Sequence, residues 1–299
     1  MQNTGSQDSY SDTIQKLADY PAHVFEYATH DFTLLIEMHP KAPTFGEQEL
    51  FSTMEEMGIG QYRQLLRDIY NVSSDSIGQI NNEVRRTYVP SSDYFYEIPG
   101  RRYKGADGKE RKTLPKFIPI HIHAQLESLL LTSTTVINAK KPASDPTRPG
   151  LIIDSAYRSP WYQAIVIARN IHKYGIPGAF TYVTLPGYSQ HSDEKHTAVD
   201  FTVIGDAQGL ITSDPLTGKP NNVLGFEHSL EFEYLLQNAP NHGFWLPYHP
   251  NPSDPQSNTT ALGIVFEPWH WQYVGENATS LMKKHLVYES VLARKKQRI

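Results

Sequence analysis

Two histidines, one aspartate and one glutamate in this 299-residue chain have the types and spacing for hydrolytic chemistry. Asp200 follows His191 by nine residues, and Glu267 stands three residues before His270. A catalytic zinc ion usually takes three protein ligands, drawn from imidazole and carboxylate groups, and keeps a fourth position for water or substrate. His191, Asp200 and His270 make such a set, so they are the candidate zinc ligands.

Glu267 is the candidate general base of the same site. A zinc ion lowers the pKa of bound water from about 15.7 to roughly 7, and a nearby carboxylate can take the proton as the water attacks a carbonyl. Pro268 stiffens the backbone beside Glu267, and the indoles of Trp269 and Trp271 would keep the site dry and rigid. This spacing would hold Glu267 beside the metal without making it a ligand.

The order of the surrounding motifs is more specific than any single pairing, because the chain has 13 histidines. Four motifs follow one another along the sequence: Ser155–Ser159, Pro186–His191, Ala198–Asp200 and Glu267–Gly275. In this order they resemble the VanY-type D,D-carboxypeptidases of the M15 zinc peptidase family, which cleave the peptide stems of bacterial cell walls. The resemblance extends from about Leu114 to Gly275.

The resemblance implies a role for each matched residue. It makes His191, Asp200 and His270 the zinc ligands and Glu267 the catalytic base. Arg158 then corresponds to the family arginine that contacts the substrate near the scissile bond. A guanidinium is permanently charged and its fork matches a carboxylate or a developing oxyanion, so this role is physically reasonable. Without the motif context, Arg158 would be interpreted as part of a surface ion pair.

The loop between His191 and Asp200 departs from the family pattern. The family runs Ser-x-His-x-x-Gly-x-Ala-x-Asp, whereas here the loop is two residues longer and His196 stands where glycine is expected. Such an insertion in a surface loop has a small entropic cost, so His191 can still reach the metal. His196 is a rival ligand because it lies closer to Asp200 in sequence. The intact Pro-Gly-Tyr-Ser-x-His approach favours His191 and leaves His196 beside the site, facing substrate or in the loop.

Length, composition and charge limit the classes of protein to which the chain can belong. The chain is long enough for one large domain or two smaller ones, and its 39% hydrophobic content is ample for a core. A net charge of -5 argues against a nucleic-acid partner, which normally requires a basic balance. No apolar run reaches about 18 residues, so no transmembrane helix is predicted.

The first 13 residues are polar and lack the charged start and apolar core of a secretory signal. Either the protein stays in the cytoplasm, or the sequence begins after a removed signal or lipid anchor. The absence of cysteine fits both interpretations. The substrate implied by the resemblance lies outside the cytoplasmic membrane, which favours the cell envelope, periplasmic or extracellular. The polar N-terminal tract would then be a flexible tether.

The N-terminal third is predicted to be mainly helical. Apolar residues recur at helical spacing from Glu47 to Tyr70, and a short helix is predicted around Ser76–Arg86. A basic, glycine-containing loop is predicted between Pro99 and Lys116. This loop could touch anionic wall polymers, although a solvated loop is the simpler interpretation.

Local signals place Arg158 at a junction between a strand and a helix. Leu151–Ile153 is predicted to be a short buried strand. Ser159 and Pro160 are a suitable N-cap and first residue for the helix that follows, and Gly175 is predicted to close it. Functional residues are often presented at such junctions.

Two further strands are predicted to carry the acidic residues of the site. Val199–Val203 alternates as a strand, and Asp200 shares a face with small residues that leave room for a metal. Gly263–Phe266 is predicted to be a strand that ends at Glu267, so the two strands would bring Asp200 and Glu267 to one sheet edge or cleft. The predicted helices around them are Ile118–Asn138, Ser229–Asn238 and a packing helix in Asn277–Ile299.

These elements predict an α+β fold, with a small antiparallel sheet flanked by helices around a zinc peptidase core. The predicted segments are residues 1–113, a mainly helical N-terminal extension with the basic loop; residues 114–276, the zinc peptidase catalytic domain; and residues 277–299, a C-terminal packing helix.

The resemblance implies a Zn²⁺-dependent peptidase acting on peptidoglycan stem peptides, with D-alanyl-D-alanine carboxypeptidase as the leading activity. A D-Ala-D-Ala dipeptidase, an L,D-carboxypeptidase or a wall endopeptidase would use nearly the same core. A zinc-bearing module that binds wall peptides without cutting them is an alternative of another class, although such a module has no need of Glu267. A cytoplasmic peptidase acting on recycled wall fragments or ordinary peptides is a third.

Overall fold

The structure, a computed structural model of the chain, describes residues 14–72, 92–100, 102–104, 110–141, 150–202, 212–213, 220–221, 225–255, 260 and 265–296. The chain divides into two compact units. Unit 1 comprises Met1–Phe95 and Tyr157–Asp193, and unit 2 comprises Tyr96–Ala156 and Glu194–Ile299. Each unit therefore draws on two separate stretches of sequence. The division into segments 1–113, 114–276 and 277–299 stays a prediction.

The secondary structure of the described residues is as follows. After a short helical stretch at residues 14–18, the helices are α1 Ala22–Met38, α2 Glu47–Glu56, α3 Arg63–Tyr70, α4 His123–Lys140, α5 Pro160–Tyr182, α6 Leu230–Asn238, α7 Ala278–Lys284 and α8 Val287–Lys296. The strands are β1 Phe95–Ile98, β2 Arg102–Lys104, β3 Glu110–Lys112, β4 Lys116–Pro119, β5 Ile152–Ser155, β6 Ala198–Thr202, β7 Thr212–Ser213, β8 Pro220–Asn221, β9 Phe244–Trp245 and β10 His270–Tyr273.

Unit 1 is helical, and α5 shares one apolar core with α1, α2 and α3. The indole of Trp161 on α5 stacks on the ring of Tyr70, with centroids 4.1 Å apart, and meets Phe51 edge-on at 5.2 Å. The helical prediction for 47–70 is confirmed, with a break at Gly58, whose φ of 70° suits glycine. Helix α1 was not predicted, although its buried residues recur at helical spacing: Phe25, Ala28, Phe32, Leu35 and Ile36. The helix predicted around 76–86 lies outside the described residues.

Unit 2 contains a four-stranded sheet in the order β5-β6-β10-β9, and each neighbouring pair of strands is antiparallel. Val199, Phe201 and Trp271 are fully buried in its core, and α4 and α6 pack on each other within the same unit. The α+β prediction, with a small antiparallel sheet and flanking helices, is confirmed.

Several predicted boundaries in unit 2 are wrong for local reasons. Lys116–Pro119 is strand β4, paired with β1, so α4 begins at His123 rather than Ile118. The predicted basic loop contains the antiparallel pair of β2 and β3. The C-terminal helix is two helices, α7 and α8, separated at Leu286, whose φ is 51°.

Two predictions near the site need comment. The predicted end of the first helical stretch at Gly175 is confirmed, since the backbone there is not helical and φ is 73°; a second helical stretch of α5 follows this kink and continues to Tyr182. Residues 263–264 of the predicted Gly263–Phe266 strand lie outside the described residues. The strand that pairs with β6 is β10, which begins after Glu267 rather than ending at it. Among the described residues, no helix combines the length and apolar character that crossing a membrane requires.

Candidate metal centre

Strand pairing sets Asp200 opposite His270. Asp200 is the third residue of β6, and His270, the first residue of β10, is its register partner across the antiparallel pair. Directly opposed residues of such a pair project to the same face of the sheet. Asp200 Oδ1 and His270 Nδ1 are accordingly 2.9 Å apart, with both residues almost fully buried. The sheet therefore brings together two candidate ligands that are 70 residues apart in sequence.

A tight turn over Glu267–His270 holds the segment that enters β10. The amide of His270 donates to the carbonyl of Glu267 at 3.1 Å, and Pro268 occupies the second position, where its fixed φ suits the turn. The indole Nε1 of Trp271 donates to the Pro268 carbonyl at 3.0 Å. The amide of Phe201 donates to the Trp269 carbonyl at 2.9 Å. The three carbonyls before His270 are thus all bonded, which fixes the turn against the sheet.

Glu267 lies beside His270, at the limit of ion-pair distance. Its Oε2 is 3.9 Å from Nδ1 of His270, and its side chain is 27% exposed, more than the buried candidate ligands. Its amide donates to the carbonyl of Tyr248 at 3.1 Å, and the ring of Tyr248 stacks on His270 with centroids 4.8 Å apart. Tyr248 therefore supports both residues. No sequence pattern singles it out, because only folding brings it to His270.

His191 lies in a short 3-10 helix, Gln190–Ser192, that follows a glycine turn. Gly187 has a φ of 82°, which favours glycine, and the hydroxyl of Ser189 accepts a hydrogen bond from the His191 amide at 3.3 Å. His191 is buried. The Pro-Gly-Tyr-Ser run seen in the sequence is therefore the structure that delivers this histidine.

Arg158 is tied to the His191 segment through the main chain. Its amide donates to the carbonyl of His191 at 3.0 Å, and the hydroxyl of Ser192 donates to the Arg158 carbonyl at 2.8 Å. The guanidinium donates through Nη1 to Oε1 of Gln163 at 3.2 Å, and Gln163 in turn donates to the carbonyl of Thr184 at 2.7 Å. The sequence did not point to Gln163 or Ser192, which orient Arg158.

His191, Asp200 and His270 each offer one ligand atom, and these atoms all lie within 4.8 Å of one another. Atoms that are each about 2.0–2.2 Å from one ion are at most about 4.4 Å apart, so the group needs only small shifts to enclose an ion. Two imidazoles and a carboxylate suit a divalent transition metal, and the three residues are 3%, 9% and 4% exposed, respectively. His196 is exposed and is not a member of this group. The residues fit a buried three-ligand metal site.

An α+β fold with two histidines and an aspartate grouped for a metal, next to a glutamate held by a turn, defines a metal-dependent hydrolase type of centre. Residues 138–276 match the VanY family, described as D-alanyl-D-alanine carboxypeptidase. The chain therefore contains a VanY-type segment.

A curated D-alanyl-D-alanine carboxypeptidase from Enterococcus faecium is 26% identical to the chain over 142 residues. The match covers 47% of this chain and 36% of that relative, so the chain spans about a third of the relative's length. The similarity is therefore confined to one part of each protein.

Three solved structures are similar to the chain. A zinc-bound variant of the vancomycin-resistance D,D-pentapeptidase VanY is 20% identical, with a TM-score of 0.38, and the match covers 64% of this chain and 89% of that chain. The LD-carboxypeptidase LdcB is 20% identical, with a TM-score of 0.39, and the match covers 58% of this chain and 69% of that chain. DacB from Streptococcus pneumoniae is 19% identical, with a TM-score of 0.36, and the match covers 69% of this chain and 94% of that chain. The likeness of residues 138–276 to the VanY family rests on the sequence match rather than on these structures.

Proposed function

We propose that the chain is a zinc-dependent carboxypeptidase that removes the terminal D-alanine from peptidoglycan stem peptides. The observation that carries this proposal is the buried group of His191, Asp200 and His270, with Glu267 on the turn that precedes the last of them. The VanY-type segment supports the reaction class, since the family and the curated relative are described as D-alanyl-D-alanine carboxypeptidases.

In this proposal His191, Asp200 and His270 hold the zinc ion. When bound, zinc supplies a Lewis acid and lowers the pKa of water at the site towards about 7. Two histidines and one acidic residue are a ligand set that zinc hydrolases use. The Tyr248 ring on His270 and the strand pairing of Asp200 limit how far these side chains can rotate, so little reorganisation is needed on binding.

Glu267 is the proposed general base and acid. Its carboxylate takes a proton from the attacking water and passes it to the amine of the leaving alanine. The turn places this carboxylate beside His270, and its partial exposure leaves it accessible to water and substrate. This position supports Glu267 as the residue that transfers the proton.

Arg158 is the proposed contact for the terminal carboxylate of the substrate. A guanidinium can bond a carboxylate through two parallel N–H groups, which orients the peptide as well as attracting it. Gln163 fixes one of the nitrogens, and the backbone bonds to His191 and Ser192 fix the position of the residue. Arg158 would therefore hold the substrate carboxylate at a fixed position relative to His191, the first zinc ligand.

The proposed substrate also implies a location. Peptidoglycan stem peptides that end in D-alanyl-D-alanine are processed outside the cytoplasmic membrane, so we propose a site of action in the cell envelope, periplasmic or extracellular, in association with the wall. The stem peptide would be the binding partner of the chain.

Mass spectrometry of defined stem peptides, digested with the zinc-loaded protein, tests the proposal. We expect a pentapeptide stem to lose one alanine. Glu267→Gln should lower kcat by about 10²–10⁴ with zinc content unchanged, because general acid–base catalysis contributes about that factor. Glu276→Gln, at an exposed glutamate on the turn after β10, is the matched control and should retain full activity.

Other outcomes would replace the proposed reaction. Release of an intact dipeptide, scission of a cross-link, or cleavage of a tetrapeptide stem would each name a different peptidase activity. A protein that holds zinc, shortens no stem peptide and is unaffected by Glu267→Gln would be a wall-peptide binding module instead.

A further inference from the structure

Unit 2 contains a cavity of about 260 Å³, and the described residues that line it do not include the metal group. At about 30 Å³ for each liquid water, this is the volume of roughly nine waters, slightly below the usual range for small-molecule sites. Trp245, Pro247, Pro252 and Leu286 give it apolar walls. The cavity therefore has the size for one small side chain and the groups next to it.

Among the described residues of this lining, the titratable side chains are basic: His249, Lys284 and His285. The His285 ring lies 5.4 Å from the ring of Trp245 and 5.9 Å from that of His249, measured between centroids. Lys284 ends α7 and is exposed. This combination attracts a carboxylate and disfavours a free ammonium group.

His249 adds a hydrogen-bond acceptor to the wall. Its Nδ1 is 2.9 Å from the Pro250 carbonyl, and since a carbonyl only accepts, Nδ1 carries the proton. Burial, aided by His285, lowers the pKa of His249 below its usual value, so the ring is neutral at neutral pH. The lone pair of Nε2 is then available to accept from an N–H donor.

Leu286 gives the cavity a strained wall. Its φ of 51° places a branched, non-glycine residue in the left-handed region, and its side chain is half exposed. Its amide still donates to the carbonyl of Lys283 at 3.1 Å, which anchors the strained backbone. Backbone strain of this kind clusters where ligands bind.

We propose that this cavity binds the carboxyl-terminal residue of a peptide. The small side chain lies against Trp245 and the prolines, the carboxylate lies near Lys284, and the amide N–H donates to Nε2 of His249. This site goes beyond the proposed catalytic function, because it needs neither the zinc ligands nor Glu267. A peptide terminus is favoured over a free amino acid, whose ammonium group would face a basic lining.

Fluorine NMR of the full-length, zinc-loaded protein labelled with 5-fluorotryptophan tests the proposal. The chain has four tryptophans, so four signals are expected, and Trp→Phe variants assign them. Titration with N-acetylalanine should shift the Trp245 signal to saturation, while Trp161 in unit 1 stays constant. N-acetylalaninamide, which lacks the charge, and free alanine should bind more weakly by up to about fivefold, the factor expected from one exposed ion pair.

Charge reversal provides the matched pair of variants. Lys284→Glu should weaken N-acetylalanine binding about tenfold, because it removes an attraction of a few-fold and adds a similar repulsion. Lys283→Glu, at an exposed neighbour outside the lining, should leave binding unchanged. A constant Trp245 signal would overturn the proposal. So would shifts confined to Trp269 and Trp271, which flank His270, or equal effects of the two lysine variants.

Discussion

At the scale of single residues, the candidate ligands are held by different means. His270 is fixed by Asp200 at one ring nitrogen and by Tyr248 on its ring face. His191 is fixed instead through its backbone, which bonds to Ser189 and Arg158. Side chains held this way keep their orientation without a metal, and such preorganisation favours tight binding and efficient chemistry. It also makes the contribution of each histidine separable by substitution.

His191→Ala and His196→Ala form the sharpest comparison, because both histidines lie in the lengthened loop. His191→Ala should lower zinc affinity by at least about 100-fold, since removing a ligand should exceed the 10–100-fold effect of losing one of its supporting partners. His196→Ala should leave affinity unchanged, as His196 is exposed and outside the group. Elemental analysis after exchange against a chelator of known zinc affinity measures both.

The reverse result would make His196 the ligand. Loss of zinc in His196→Ala, with retention in His191→Ala, would require the loop to rearrange on metal binding. Loss in both variants would give each histidine a place at the ion and would extend the set that the structure groups.

At the scale of elements, the sequence predicted those parts whose signals are local. Ser159 caps α5 by accepting from the Tyr162 amide at 3.1 Å, and Ser229 caps α6 by accepting from Phe232 at 3.0 Å, so both starts were readable. Strand β6 was readable from its alternation. The pairing of Asp200 with His270 was not, because register between strands 70 residues apart depends on packing rather than on local pattern.

The candidate site, like the fold, could be predicted from the sequence only where the signal is local. The motifs identified the residue types, including Glu267 and Arg158. The residues that support the site, Tyr248 at His270 and Gln163 at Arg158, are brought into contact only when the chain folds. The turn over Glu267–His270 is a local structure, yet it was missed because the preceding residues were interpreted as a strand running into Glu267.

The Ser159 cap can be tested by its stability. Ser159→Ala should lower the free energy of unfolding by about 1 kcal/mol, and the melting temperature by roughly 2–4 °C, because the Tyr162 amide loses its acceptor. Ser128→Ala, at an exposed position within α4, is the control and should be neutral or slightly stabilising, since alanine favours helix interiors. Thermal unfolding followed by circular dichroism measures both; equal melting temperatures for the two variants would show that the cap contributes nothing.

At the scale of the whole molecule, the family match and the compact units do not coincide. The VanY-type segment, residues 138–276, contains α5, but the core that buries α5 is completed by residues from the N-terminal helices. Ile165 and Ala168 on α5 are fully buried in that core, together with Leu50 and Leu66. The N-terminal helices therefore stabilise the helix that begins two residues after Arg158.

This shared core predicts that a fragment comprising residues 114–299 will not fold as the full chain does. Without α1–α3, Trp161 loses its stacking on Tyr70, and the Ser159 amide loses its bond to the Pro43 carbonyl at 2.7 Å. Each large apolar side chain exposed forfeits about 1.5–3 kcal/mol, so the loss from a few of them is comparable with the roughly 5–15 kcal/mol that keeps a typical protein folded. We expect the fragment to aggregate or to unfold without cooperativity, and to bind zinc more weakly than the full chain. Size-exclusion chromatography, thermal unfolding and zinc titration measure these properties. A monomeric fragment with a cooperative transition and full zinc affinity would instead show that residues 1–113 are a dispensable extension, because the metal group would then be complete without the core of unit 1.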